Sequence, residues 1–305
     1  MAEKKLIAHK QRGILVLGMH RSGTSAVTGA LAMAGASAPT EVTPVTQDNP
    51  TGYWESQRIT HFNNALLFSA GSHWKDAGCI GENWFEAPER QADAARAAEL
   101  ICSEFPDSGP VICKDPRICR LLPVWKMAFD VLGGEWIVVF VIRHPLAVAA
   151  SLRRRMDNDQ FRPAAVQSLE SGILLWLRYN LAAERHSRNM QRITFTYEAL
   201  IQDWKPEFAT VFSTGILPPP TPELAVRIGA FLNPSLNREG RMAIAADSDT
   251  LICGLKVAEA VRAAIFERNV PQLEKIHSYL DYLMATGTMT ARSILELLDR
   301  LELQE

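Results

Sequence analysis

Cysteine is scarce in this 305-residue chain: there are five, at positions 79, 102, 113, 119 and 253. None forms a C-x-x-C pair matched by a second pair or by histidines at zinc-finger spacing. A disulfide scaffold and a zinc module are therefore excluded, and the five read as reduced thiols, mostly in the core. Neither sign of charge is in excess, with 32 Lys and Arg against 34 Asp and Glu. Such a chain lacks the basic surplus that grips a nucleic-acid backbone, so nucleic acid is not an expected partner and any bound anion must sit in a local pocket. No apolar stretch reaches 18 residues, and the opening MAEKKLIAHKQRG holds no apolar run of signal-peptide length. The expectation is a cytoplasmic protein without an integral membrane segment. Internal repeats and low-complexity tracts are missing too.

What is present is apolar content sufficient for a sizeable core, at 47%. Short apolar runs at 13–18 (GILVLG), Val111–Cys113, Trp136–Ile142 (WIVVFVI) and Ile193–Thr196 each lead into a helical pattern. WIVVFVI is apolar at every position, as a central parallel strand covered on both faces requires. Strands alternating with helices predict an α/β fold, a three-layer α/β/α arrangement around a mostly parallel, P-loop-like sheet. A fifth strand is expected but unplaced. Helices are predicted over Gln57–Phe68 and about Pro88–Phe105, within a long segment that should cap the sheet's C-terminal edge. Two or three amphipathic helices are predicted in the last 50 residues. The organisation expected is one domain over 1–305, with a core of about 13–200 and a helical extension of about 201–305. Packing or self-association, including a homo-oligomer, is the reading for that tail.

Gly18–Ser25 reads G-M-H-R-S-G-T-S, the G-x-x-x-x-G-[KT]-[ST] spacing of a phosphate loop between a strand and a helix N-terminus. Backbone N–H groups and the helix dipole would cradle an anion there. Thr24 stands where nucleotide kinases and GTPases carry Lys, and the positive charge sits at Arg21 instead, which suits an anion shorter than a triphosphate. The bland alternative is a Gly-rich turn without a ligand. Beyond WIVVFVI come Arg143 and, eight residues on, Ser151, with Pro145 suited to a first helical turn. A guanidinium at a strand end and a hydroxyl two turns later could hold one phosphate from two sides.

H-R-S-G-T-S after the first strand, together with an Arg and a Ser at that spacing after a later one, resembles the sulfotransferases that use 3′-phosphoadenylyl sulfate (PAPS). The resemblance extends over roughly residues 13–200, through G-Y-W-E at 52–55 and K-D-P-R at 114–117, to bacterial sulfotransferase-like proteins. It implies that Arg21, Ser22, Gly23, Thr24 and Ser25 hold the 5′-phosphosulfate, that Arg143 and Ser151 hold the 3′-phosphate, and that adenosine 3′,5′-bisphosphate (PAP) is the product, with no metal required. The C-terminal closure of the 3′-phosphate site has a loose counterpart in Arg238 and Arg241. A carbohydrate or small molecule is the implied acceptor.

Sulfuryl transfer needs an in-line attack, a base and cations. Lys114 is placed to reach the bridging oxygen. Glu55 is the leading base, shielded by neighbouring aromatics, although Ser56 capping a helix beside an exposed Glu55 is the structural alternative. His20 follows, since an imidazole needs no shift to act near neutral pH. Asp115 is a base or a helix cap. Arg153, Arg154 and Arg155 spread around a helix, so at least two should be solvated. Glu41, Asp157, Asp159, Trp176 and Tyr179 are candidates for the acceptor pocket, the last two more simply as helix core. The competing functions are a nucleotide or small-molecule kinase with a variant loop, and a non-catalytic nucleotide-binding protein.

Overall fold

In a computed structural model the described residues are 11–44, 52–105, 109–157, 168–232, 248–289, 293–294 and 296–297. Four parallel strands form one sheet: β1 (Gly13–Leu17), β2 (Val111–Lys114), β3 (Trp136–Ile142) and β4 (Gln191–Thr196), in the order β2-β1-β3-β4. Helices α1 (Thr24–Met33), α2 (Gln57–Ser69), α3 (Glu82–Glu86) and α4 (Glu89–Glu104) lie between β1 and β2. α5 (Ile118–Leu132) links β2 to β3, and α6 (Pro145–Asp157) and α7 (Leu169–Ser187) link β3 to β4. Beyond β4 come α8 (Tyr197–Gln202), α9 (Trp204–Phe212), α10 (Pro222–Phe231), α11 (Asp249–Glu267) and α12 (Val270–Ala285).

The period-two alternation of a strand splits the apolar side chains between two cores. Leu15, Leu17, Val138 and Phe140 join one with residues of α2, α4, α5, α6, α7, α11 and α12, while Ile14, Val16, Val139 and Val141 join the other with α1, α8, α9 and α10. All seven residues of β3 are buried, so its unbroken apolar run has the cause read from the sequence. The predicted three-layer α/β/α arrangement is thereby observed. Among the described residues the fifth strand is not found; the outer edge of β2 meets only an isolated bridge, Ser37 with Val111. Three of the five free cysteines are buried and two, Cys79 and Cys102, are exposed. Burial pushes the Cys119 thiol up to about 12, which keeps it protonated.

Because the strands are parallel, Gly18, Lys114, Arg143 and Tyr197, each at or just beyond a strand's last residue, all emerge at the same edge of the sheet. Among the described residues no helix is long and apolar enough to cross a membrane.

Candidate active site

The loop from β1 to α1 turns through backbone angles that few side chains allow. Gly23 caps α1 with φ +86°, and a Cβ there would sit 2.0 Å from the Tyr197 ring; a Cβ on Gly18 would sit 2.6 Å from the Val141 carbonyl oxygen. Arg21 also takes a positive φ, 69°, an uncommon conformation for a residue with a side chain and one that marks local strain. The Gly18 N–H donates to the Cys119 thiol at 3.2 Å. Ser22 is wholly buried, yet its hydroxyl has no hydrogen-bond partner among the described residues, and the same holds for Nε2 of buried His20. An unpartnered buried hydroxyl beside a glycine-shaped turn at a helix N-terminus is chemistry suited to an anion.

The two anion motifs meet. Arg21 Nε donates to Ser151 Oγ at 2.9 Å, and Arg143 Nη1 donates to the Arg21 carbonyl at 2.9 Å. The Arg143 guanidinium also lies over the Tyr197 ring, 4.7 Å from its centroid. Tyr197 thus touches both Gly23 and Arg143, a role no sequence motif announced. Trp176, expected as core or pocket, is core: it is fully buried and its indole N–H donates to the Arg143 carbonyl at 2.9 Å.

Lys114, the last residue of β2, is only 4% exposed, and its ammonium donates to Glu55 Oε1 at 2.6 Å, to the Tyr53 carbonyl at 2.7 Å and to Ser25 Oγ at 3.0 Å. Glu55 and Lys114 therefore form a buried ion pair against the loop from β1 to α1. Oε2 of Glu55 has no protein donor among the described residues. Ser56 does cap α2, accepting from the Ile59 N–H at 3.1 Å, but Glu55 beside it is buried, not exposed. Thr24 is buried too.

The turn after β2 is fixed by Asp115, which is wholly buried. Its Oδ1 accepts from the Arg117 N–H and Nη1, each at 2.9 Å, and its Oδ2 accepts from Thr60 at 3.1 Å and Asn63 at 3.2 Å. Burial alone would raise this carboxyl, but the Arg117 charge and these hydrogen bonds outweigh it and hold the acid below its ordinary value. This carboxylate ties α2 to the β2–α5 turn. As a cap it serves the turn leading into α5, which begins only at Ile118, so Pro116 precedes the helix instead of opening it. Arg117, whose Nε donates to Asn64 at 2.7 Å, belongs to the K-D-P-R motif but had no role assigned from the sequence, and Thr60 and Asn63 went unrecognised.

His20 departs from expectation. Burial, then the Arg117 charge, pushes its imidazole well below the usual histidine range, so it stays neutral and resists taking a proton near neutral pH. Its ring packs against Trp74 at 4.9 Å and Tyr179 at 5.6 Å. Tyr179 is core, fully buried with its hydroxyl donating to the Trp74 carbonyl. Glu41 is exposed and contributes backbone contacts. Arg153 is exposed, whereas Arg155 turns over the Tyr53 ring, 5.6 Å from its centroid. Asp159, Arg238, Arg241 and the Asp157 side chain lie outside the described residues.

Two solved structures are similar to this chain. One is the sulfotransferase domain from the curacin biosynthetic pathway, 12% identical, covering 84% of this chain and 99% of that one with a TM-score of 0.49. The other is the sulfotransferase domain from the Synechococcus PCC 7002 olefin synthase, 17% identical, covering 82% and 96% with a TM-score of 0.48. No protein of curated function matches. The model of the sulfotransferase family matches residues 13–214, two-thirds of the sequence and every residue of the cluster just described, and the chain belongs to that family.

Proposed function

We propose that this sulfotransferase moves a sulfuryl group from PAPS to a hydroxyl or amine of a carbohydrate or small-molecule acceptor and releases PAP. The observation that carries the reading is the link from Arg143 through Arg21 to Ser151, which joins the two anion motifs at one rim of the sheet. The fit to a donor with two phosphate ends rests on the orphaned Ser22 hydroxyl and the glycine cradle. Arg21, Ser22, Gly23, Thr24 and Ser25 would hold the 5′-phosphosulfate, and Arg143 and Ser151 the 3′-phosphate. The donor supplies an already activated sulfuryl group, which calls for no metal. Glu55 Oε2 takes the proton of the attacking hydroxyl as the acceptor oxygen bonds to sulfur and the sulfur's bond to the 5′-phosphate breaks. Lys114 and Arg21 stabilise the charge left on that phosphate. His20 is left as a neutral wall of the loop, and Asp115 as the group that positions the Glu55–Lys114 pair.

A kinase would need the Ser25 hydroxyl for Mg²⁺, and the Lys114 ammonium at 3.0 Å opposes a divalent cation there. The buried Glu55–Lys114 pair, placed against the loop from β1 to α1, favours a catalytic reading over a non-catalytic binder. Residues 1–305 are proposed to act as one domain, because Leu251, Val257 and Ile276 of the C-terminal helices share a core with Leu15 and Phe140.

Thermal-shift measurements test the donor: stabilisation by PAP without Mg²⁺ is expected, and stabilisation by ATP only with Mg²⁺ would return the kinase reading. A gain of about 80 Da on an acceptor, absent when PAPS is omitted, tests the transfer; the omission matters because phosphorylation adds nearly the same mass.

A further inference from the structure

A cavity of about 390 Å³ lies between residues 79–86, the first turn of α5, α7 and α12, and none of the residues assigned to the donor or to proton transfer lines it. That volume is within the range of small-molecule sites, about 300 to 1,000 Å³. Ile80, Phe85 and Ala182 make an apolar wall; Arg120, Arg178 and Arg185 face it, against the carboxylates of Glu82 and Asp281.

These charges are not evenly matched. Arg178 is committed, with Nη1 on Asp281 at 2.5 Å and Nε on the Ala77 carbonyl at 2.7 Å. Arg120 spends its hydrogen bonds on neutral oxygens, the carbonyls of His73, Asp76 and Gly78 and the Ser72 hydroxyl. Arg185 is held loosely, 3.6 Å from Glu82 and 3.5 Å from Glu274, and the Glu82 side chain is 65% exposed. An exposed pair at that distance contributes little. Next to Arg185, His186 packs on Phe85 at 5.8 Å. Its imidazole is pushed down to about 4, by burial first and then by Arg185, His277, Lys126 and Arg188, every one of them a group of positive or potentially positive charge.

We propose that this cavity binds a small amphipathic anion, its carboxylate or phosphate taken by Arg185 with the His186 ring as a further donor, its apolar body against Phe85 and Ile80. The ligand's anion would replace the solvent-exposed Glu82 as the partner of Arg185, in a less hydrated setting where a bidentate guanidinium contact is stronger. This site is independent of the PAPS reading, since it shares no residue with it.

Calorimetry on the full chain, with phenyl phosphate and benzoate as probes and benzamide as the neutral control, tests it. Both anions should bind whether or not saturating PAP is present, and benzamide should bind at least about tenfold more weakly, as expected for loss of a charged partner. Arg185→Ala should weaken the anions by about tenfold or more, Arg185→Lys by less, and Phe85→Ala should weaken all three probes. Arg143→Ala, a change at the proposed donor site, should leave the affinities of these three probes unchanged while weakening PAP. Equal affinity for benzamide, no binding to the wild-type chain, indifference to Arg185→Ala, or loss of the anions when PAP is added would overturn the proposal. Should the PAPS reading fail instead, PAP itself would not bind and the benzoate result would stand.

Discussion

The two sides of the candidate site are assembled differently. On the side proposed to hold the donor, an eight-residue loop, Gly18–Ser25, and a nine-residue stretch, Arg143–Ser151, each follow a strand directly. On the side proposed for proton transfer, Glu55 precedes α2, Lys114 ends β2, and Thr60, Asn63 and Arg117 converge on Asp115 from two segments some fifty residues apart. Backbone N–H groups at a helix N-terminus recognise an anion locally, so the first kind of site is compact in sequence. A carboxylate and an ammonium that must be buried together need partners on separate elements, because an unpaired buried charge is not tolerated. The segments of the first side are therefore each shaped by local geometry, although packing brings them together, whereas the second side is assembled by tertiary packing alone.

The sharpest test of the difference is Glu55→Gln. If this side carries the chemistry alone, turnover should fall by about 10²- to 10⁴-fold, the usual contribution of a general base, while PAP affinity measured by calorimetry stays within about twofold. A variant that keeps its rate would remove Glu55 from the reaction. Asp115→Asn should act on the same side through stability. It leaves the Arg117 charge without its buried carboxylate, and chemical denaturation should register a loss of about 3 kcal/mol or more. A loss near zero would mean that the turn holds itself together without Asp115. On the donor side the expectation reverses. Arg143→Ala should weaken PAP by about 2 to 4 kcal/mol, as for a buried charged hydrogen-bond partner, and unchanged affinity would take that residue out of the site.

The same contrast explains what could be read in the sequence. β3 was legible because burial on both faces leaves no polar position to blur the run, and the loop because its glycines answer to backbone geometry. Lys114 was legible as a strand end but not as the partner of Glu55, since nothing local pairs residues 59 apart. Asp115 was ambiguous for a related reason: a cap and a base are the same residue until Thr60, Asn63 and Arg117 are seen to saturate it. Tyr197 had no signal at all. Its part depends on β4 lying next to β3, which brings its ring against Gly23 and Arg143. The burial of His20 is not legible either, because its position in the loop says nothing of Trp74 and Tyr179, whose rings pack on it.

Histidine supplies the smallest effect and a direct check on that burial. Burial lowers the pKa of both His20 and His186. Below about pH 6.5 the unfolded chain protonates these imidazoles while the native chain does not, so the unfolded state binds more protons and stability must fall with pH. The loss approaches about 1.4 kcal/mol per pH unit for each histidine. For His186 it ends near pH 4, where the native imidazole also takes its proton. Urea midpoints measured between pH 7 and pH 5 should decline, and His20→Gln and His186→Gln should each flatten the slope. A His20→Gln slope as steep as the wild type's would mean that His20 charges in the folded protein as readily as in the unfolded one. In that event the proton acceptor could lie inside the phosphate loop, and the division between a donor side and a proton-transfer side would no longer hold.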